Sequence, residues 1–475
     1  MTFSRRRVLQ TASSGFGYLA FSALSTWAAE TANPLPSSAS PLAPKAPHFP
    51  ARAKRIIFLC MRGGPSHVDT FDYKPELIKH DGQESGRGRG AAATLLGPQW
   101  RFQQRGKSGL WISDLFPELS RQADELCLIR SMQTDLPAHA QAFIQMHTGT
   151  SQFIRPSLGS WALYGLGTDN QNLPGFVTIG AGPQNGGSRN YGSAFLPAIY
   201  QGTSIGGGGG FGFMGRGGMY SQEAIPNIRN NRYSTEAERA QLDYIQSLNQ
   251  SKLQQEGYDP QVEGVIQSYE LAFRMQNVVP EVMDVDRESE ATQKLYGIGG
   301  GASQADRQME MFGRQCLLAR RFAEAGVRFI EIDFGNWDQH RNLRTDLERN
   351  CTSIDKPIAG LLTDLRAKGL LKDTLVVWGG EFGRTPHAQF GDGRDHNNKG
   401  FTLWMAGGGV KGGMSYGETD DFGYEAIVDK VHIHDWHATL LALLGLDHER
   451  LTYRYAGRDF RLTDVSGRVV KEIMA

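Results

Sequence analysis

The chain alternates continuous apolar runs with stretches in which apolar residues recur at helical spacing. Arg55-Ile56-Ile57-Phe58-Leu59-Cys60-Met61 is the clearest run, and Gly63-Gly64-Pro65 closes it. Such a run reads as a strand buried on both faces. Residues 126–130, 176–179, 327–332, 375–378 and 401–406 repeat the pattern. Before the run at 327–332, Met309, Phe312, Cys316, Ala319 and Ala323 follow a helical step and stop before Gly326. Ile354, Ile358, Leu361, Leu362 and Leu365 do the same before Gly369. Strands alternating with amphipathic helices predict an α/β fold, with a central, mostly parallel sheet flanked by helices. In such sheets ligands gather at the carboxyl ends of the strands.

Two segments interrupt the alternation. Residues 202–218, with Gly206 to Gly210 in an unbroken row, predict a long Gly-rich surface or lid loop. The run does not read as a G-x-G-x-x-G phosphate loop, because no clear strand precedes it and no helix start follows at the proper spacing. Residues 235–300 predict a charged helical insertion, with Tyr244, Ile245, Leu248 and Leu253 available for packing. One domain is expected over residues 51–475.

The amino-terminal region belongs to targeting, not to the fold. Arg5-Arg6-Arg7-Val8-Leu9, an apolar stretch near residues 15–24, and Ala28-Ala29 have the order of a cleaved twin-arginine signal over residues 1–29. Residues 30–50, rich in Pro, Ala and Ser, predict a disordered linker. The expected partner of this region is the twin-arginine export machinery, and the expected location is the periplasm or the exterior. No stable membrane span is expected after cleavage, because the apolar stretch is short.

Charge and cysteine content narrow the function. With 50 Lys+Arg against 50 Asp+Glu, the chain lacks the basic excess that drives nucleic-acid binding. Cys60, Cys127, Cys316 and Cys351 have neither metal-motif spacing nor disulfide-scaffold density and read as buried apolar residues.

Candidate chemistry sits just after the predicted strands. His67, Asp69 and Asp72 follow the first; Asp338 and His340 follow the run at 327–332; Glu381 and Arg384 follow the run at 375–378; Asp395 and His396 precede the last. A lone Asp after a strand is ordinarily a helix cap or turn former. Recurrence of carboxylate and imidazole at successive strand ends points instead to a divalent metal, with Zn, Mn, Mg or Ca open. The late group His432, His434, Asp435 and His437 opens a buried helix, with Asp435 expected as its N-cap, so it reads as scaffold. His48, His80 and His448 are expected in solvent or turns.

The ordered segments RIIFLCMRGGPSHVDTFDYKP, RPSLGSWALYGLG, GNWDQH, DTLVVWGGEFGRTP, GRDHNNKGFTLWMAGGGVKGG and VHIHDWHATLLALLGLDHERLTYRYAGRDFRLTD resemble the exported bacterial family called domain of unknown function 1501. That family is similar to the alkaline phosphatase and sulfatase superfamily. The resemblance implies an alkaline phosphatase-like fold with metal at the strand ends. It implies Asp338, His340 and His396 as ligands of one metal and Glu381 in the place of a superfamily Asp. Phe382 stands where that superfamily has a second ligand, and Asp69 stands for the carboxylate after the first strand.

The nucleophile departs from the superfamily pattern. The matching stretch, residues 131–149, offers Thr134 as nearest hydroxyl and His139 where the nucleophile or its neighbouring Arg would be. The formylglycine pattern is approached only by Cys316-Leu317-Leu318-Ala319-Arg320, inside an amphipathic helix, and is rejected. Bound water can replace a covalent nucleophile when a metal activates it. His139 or His67 would then move protons, and Arg62 and Arg384 would grip a sulfate or phosphate oxygen. The expectation is an exported metal-dependent hydrolase of sulfate or phosphate esters, on a small molecule or a polysaccharide. The rival is a catalytically degenerate binding or assembly protein on the same fold.

Overall fold

The computed structural model describes residues 40–85, 94–206, 233–257 and 259–475. The predicted signal, residues 30–39 of the predicted linker and the Gly-rich run from residue 207 lie outside them. Leu42–Ala475 forms one compact unit.

The strands of the main sheet and of the ribbon beside it are β1 (Arg55–Met61), β2 (Leu126–Gln133), β3 (Phe176–Ile179), β4 (Thr203–Ile205), β5 (Phe329–Phe334) and β6 (Thr374–Gly379), followed by β7 (Gly383–Gln389), β8 (Gly393–Asn397), β9 (Phe401–Gly407), β10 (Met414–Tyr416) and β11 (Val431–His432). A nine-stranded sheet runs β10-β2-β9-β6-β1-β5-β3-β4, with β11 also paired to β2. β1 lies parallel between β5 and β6, in register Phe58 to Glu331 and Cys60 to Asp333 on one side. Every residue of β1, β5 and β6 is buried; β1 and β6 are accordingly mostly apolar without alternation, whereas β5 carries the buried carboxylates Glu331 and Asp333. β9 is the exception to parallel order, running antiparallel to both β2 and β6. An apolar run carries no record of strand direction. β7 and β8 form a separate antiparallel ribbon beside the sheet.

Helices cover both faces. The long ones are α1 (His139–Thr148), α2 (Leu158–Leu166), α3 (Thr235–Glu256), α4 (Pro260–Met283), α5 (Gln304–Glu324), α6 (Leu343–Ala367) and α7 (Ile433–Leu443). Strand side chains alternate between faces. Phe58 meets His147 of α1 and Trp436 of α7 on one face, while Phe334 meets Phe312 of α5 on the other. α5 begins at a capping box, Ser303 with Asp306. α7 begins at another, but its N-cap is His432 and Asp435 is the reciprocal third residue, correcting the expected cap. His434 and His437 donate to the carbonyls of Gly149 and Met146, so this group is helix and scaffold. His448 sits in a turn, as expected, with its ring buried against Thr463. All four cysteines are free and buried. No helix among the described residues is long and apolar enough to cross a membrane.

Candidate metal centre

Four side chains converge beyond the carboxyl ends of the strands. His139 is the first residue of α1, reached from β2; Asp338 and His340 lie in the loop after β5; His396 lies on β8. One donor atom from each lies within 4.8 Å of the other three. Two glycines let the loops approach this closely. Gly63, at φ +123°, passes the backbone of Trp337 so tightly that a Cβ would sit 2.8 Å from it. A Cβ on Gly393 would sit 1.9 Å from the carbonyl oxygen of His340.

Each imidazole is held from behind through Nδ1. His396 Nδ1 donates to the carbonyl of Pro137 at 2.8 Å, and His139 Nδ1 donates to Oε1 of Glu381 at 2.6 Å. His340 Nδ1 faces Oε1 of Gln389. A carbonyl or carboxylate oxygen only accepts, so each ring donates from Nδ1 and turns Nε2 inward, where it meets either a cation or a second proton. This is how metal-ligating imidazoles are commonly oriented. The Nε2 atoms of His340 and His396 are 2.9 Å apart, and Oδ1 of Asp338 lies 2.9 Å from the first and 3.2 Å from the second. His139 Nε2 is buried without a well-directed hydrogen bond, 3.2 Å from Asp338 Oδ2. Facing lone pairs beside a carboxylate repel unless a cation or added protons lie among them. The donor set therefore fits a divalent cation, and three imidazoles favour an ion that accepts nitrogen, such as zinc or manganese, over magnesium or calcium.

Charge is concentrated here. Burial works against the charged form of His139, but the adjacent carboxylates of Asp338 and Glu381 outweigh it and push the imidazole up to about 9. Burial likewise opposes ionisation of Asp338, yet bonds from His139 and His396 and the Arg384 guanidinium hold it well below the usual carboxylate range. Arg384, fully buried, donates to Asp338 Oδ1 at 2.6 Å and to the carbonyls of Gly64, Trp337, Arg394 and Gly63. One guanidinium thus ties together the loops after β1 and β5 and strand β8.

A family model described as protein of unknown function (DUF1501) matches residues 53–474. The chain belongs to that family. Among solved structures, the DUF1501 chain overlaps PsFucS1 sulfatase from Pseudoalteromonas sp. at 12% identity and TM-score 0.36, covering 84% of this chain and 69% of that one. It overlaps the phosphonate monoester hydrolase SpPMH from Silicibacter pomeroyi at 10% identity and TM-score 0.37, covering 88% and 76%. It overlaps the alkaline phosphatase of the Antarctic bacterium TAB5 at 10% identity and TM-score 0.31, covering 77% and 93%. No curated protein matches significantly in sequence. Overlaps this loose leave the site to be read from its own geometry.

In this DUF1501 chain the remaining expected site residues take other places. Glu381 is not among the converging donors: it stands behind His139, and both its oxygens accept from the Gly63 N–H at 3.1 Å. Asp69 is fully buried in an ion pair with Arg394 at 2.7 Å, because the turn His67–Thr70 aims it at β8. His67 is buried too, its Nε2 donating to the carbonyl of Gly423 and its basicity lowered chiefly by burial, so it is a neutral core group. Thr134 is buried and donates to Gln145 Oε1 at 2.9 Å, which turns its hydroxyl away from nucleophilic use. Arg62 is engaged by Asp333 through Nε and by Gln184 through Nη1. Arg384 is fully buried with all three guanidinium nitrogens bonded to protein acceptors, so it is not presented to a sulfate or phosphate.

His139 was expected to handle protons and instead sits inside the ligand cluster. The orienting groups, Pro137 and Gln389, carry no sequence signal: one acts through its carbonyl and the other from the far strand of a ribbon.

Proposed function

We propose that this chain is an exported metal-dependent hydrolase of sulfate or phosphate esters, with His139, Asp338, His340 and His396 holding one divalent cation. The observation that carries the reading is the convergence of three inward imidazole nitrogens on a carboxylate at the strand ends. A cation held there supplies Lewis-acid charge for activating water and for polarising an ester oxygen. Glu381 holds His139 in its tautomer, Gln389 and Pro137 fix the other two rings, and Arg384 keeps Asp338 ionised and oriented. The ester class rests on the resemblance of the ordered motifs around Asp338, His340, Glu381 and His396. Export rests on the Arg5-Arg6 signal pattern. Metal-loaded protein assayed on aryl sulfates and aryl phosphates, with zinc or manganese restored after chelation, tests the reaction. Turnover that returns with metal supports it, and inert, folded, metal-loaded protein overturns it.

One observation favours the rival, a binding or assembly protein. The Phe382 ring packs at 4.8 Å on His139 and 4.6 Å on His396, on the side where the resemblance implies a second ligand. That rival keeps the metal and lacks turnover, so the same assay separates the two.

A further inference from the structure

A second cluster lies within the fold, distinct from the first. Cys60 of β1, His147 of α1 and Glu331 of β5 present donor atoms within 4.8 Å of one another, and all three are buried. The strand register puts Phe58 beside Glu331 and Cys60 beside Asp333, so these side chains share the face that α1 covers. His147 Nδ1 donates to the carbonyl of Phe143 at 2.7 Å, one helical turn back. The Nε2 atom therefore faces Glu331 Oε1, at 2.9 Å, with either a second proton or a lone pair. Asp333 does not compete for this position, since Arg62 occupies both its oxygens.

Thr178 supplies an independent observation. It is the register partner of Glu331 on β3, fully buried, and its hydroxyl oxygen has no hydrogen-bond partner. A buried hydroxyl without a partner is uncommon. Thiol, imidazole, carboxylate and hydroxyl on one buried face of the sheet match, once the thiol is deprotonated, the mixed donors that zinc accepts.

We propose that Cys60, His147 and Glu331 form a second, structural site for a borderline-soft divalent cation such as zinc, with Thr178 beside it as an oxygen donor. Binding releases the Cys60 thiol proton, and any second proton on His147, to solvent. The resulting thiolate and the Glu331 carboxylate balance the two positive charges. Structurally, the ion pins together the three elements that feed the first cluster. β1 leads to Gly63, β5 leads to Asp338 and His340, and α1 begins at His139. Structural metal of this kind contributes folding free energy directly.

Cobalt substitution tests the proposal, because only a cysteine ligand gives an intense thiolate-to-cobalt absorption in the near ultraviolet and the first cluster has no cysteine. The full chain is expressed or refolded with cobalt(II). The expected result is that band in the wild type, lost in Cys60→Ser, and retained in Cys127→Ala and in His340→Ala/His396→Ala. Retention in the last variant separates this site from the proposed catalytic one. A folded wild-type cobalt protein without the band overturns the proposal, as does a band that survives in Cys60→Ser. If Cys60→Ser does not fold, Glu331→Gln replaces it: a shifted or lost band supports the site, and an unchanged one counts against it.

Discussion

Arg384, entirely buried, donates through Nη2 to Oδ1 of Asp338 at 2.6 Å, so the only carboxylate in the four-residue cluster is fixed by a cation from beneath. The same nitrogen reaches the Trp337 carbonyl at 3.1 Å, which links the aim of Asp338 to the path of its own backbone.

Arg384→Lys should therefore weaken metal binding without removing a ligand. A single ammonium cannot span the contacts of the guanidinium fork. Loss of such a supporting partner typically costs about 10–100-fold in metal affinity. Competition with a chromophoric chelator checks this, and an unchanged dissociation constant in a folded variant would show that Asp338 holds its position without Arg384.

Asp69 separates a structural role from the ligand role that its sequence position suggested. Asp69→Asn leaves the Arg394 charge buried without its partner, and breaking a buried pair costs roughly 3–5 kcal/mol. Denaturant unfolding should show a loss of that order, with metal stoichiometry retained in the protein that remains folded. Loss of one equivalent of metal with little loss of stability would restore Asp69 to the ligand set.

Gly393→Ala should disturb the site from the rear. The added Cβ lands on the carbonyl of His340, so one of the two chains must move. Overpacking of this kind typically costs about 1–3 kcal/mol. A thermal melt paired with metal analysis should show both a lower melting temperature and weaker metal retention.

Stability should fall on the acid side. Burial pushes His437 down to about 3, with the His434 charge adding to the effect, against an ordinary value of 6.5 in the unfolded chain. A folded value below the unfolded one means that the unfolded chain binds the extra proton first. The contribution is present above about 6.5 and is lost as pH falls toward about 3. Chemical denaturation across that window should show stability rising with pH, with a shallower slope in His437→Asn. Equal slopes in the two proteins would place the acid sensitivity elsewhere.

The sheet was legible because strands such as Arg55–Met61 and Thr374–Gly379 are covered on both faces and are mostly apolar. The reversed direction of Phe401–Gly407 was not, since an apolar run looks alike from either end. Asp338, His340 and His396 could be picked out from type and position after strands. The roles of Glu381 and His139 could not, because they depend on which of two adjacent side chains reaches the centre: Glu381 is held back by the Gly63 N–H, and α1 brings His139 forward. Asp69 misled for a local reason, the turn at His67–Thr70, which aims it at Arg394. Cys60, His147 and Glu331 come from separate elements, and only the register of β1 with β5 and the packing of α1 bring them together.

The most direct test is the metal content of the purified full chain compared with His340→Ala/His396→Ala, measured by elemental analysis on folded protein. The predicted result is that the double variant holds one equivalent of divalent cation fewer than the wild type. Equal metal content in both proteins, with a wild-type melting temperature that neither chelator nor added zinc or manganese shifts, would contradict it.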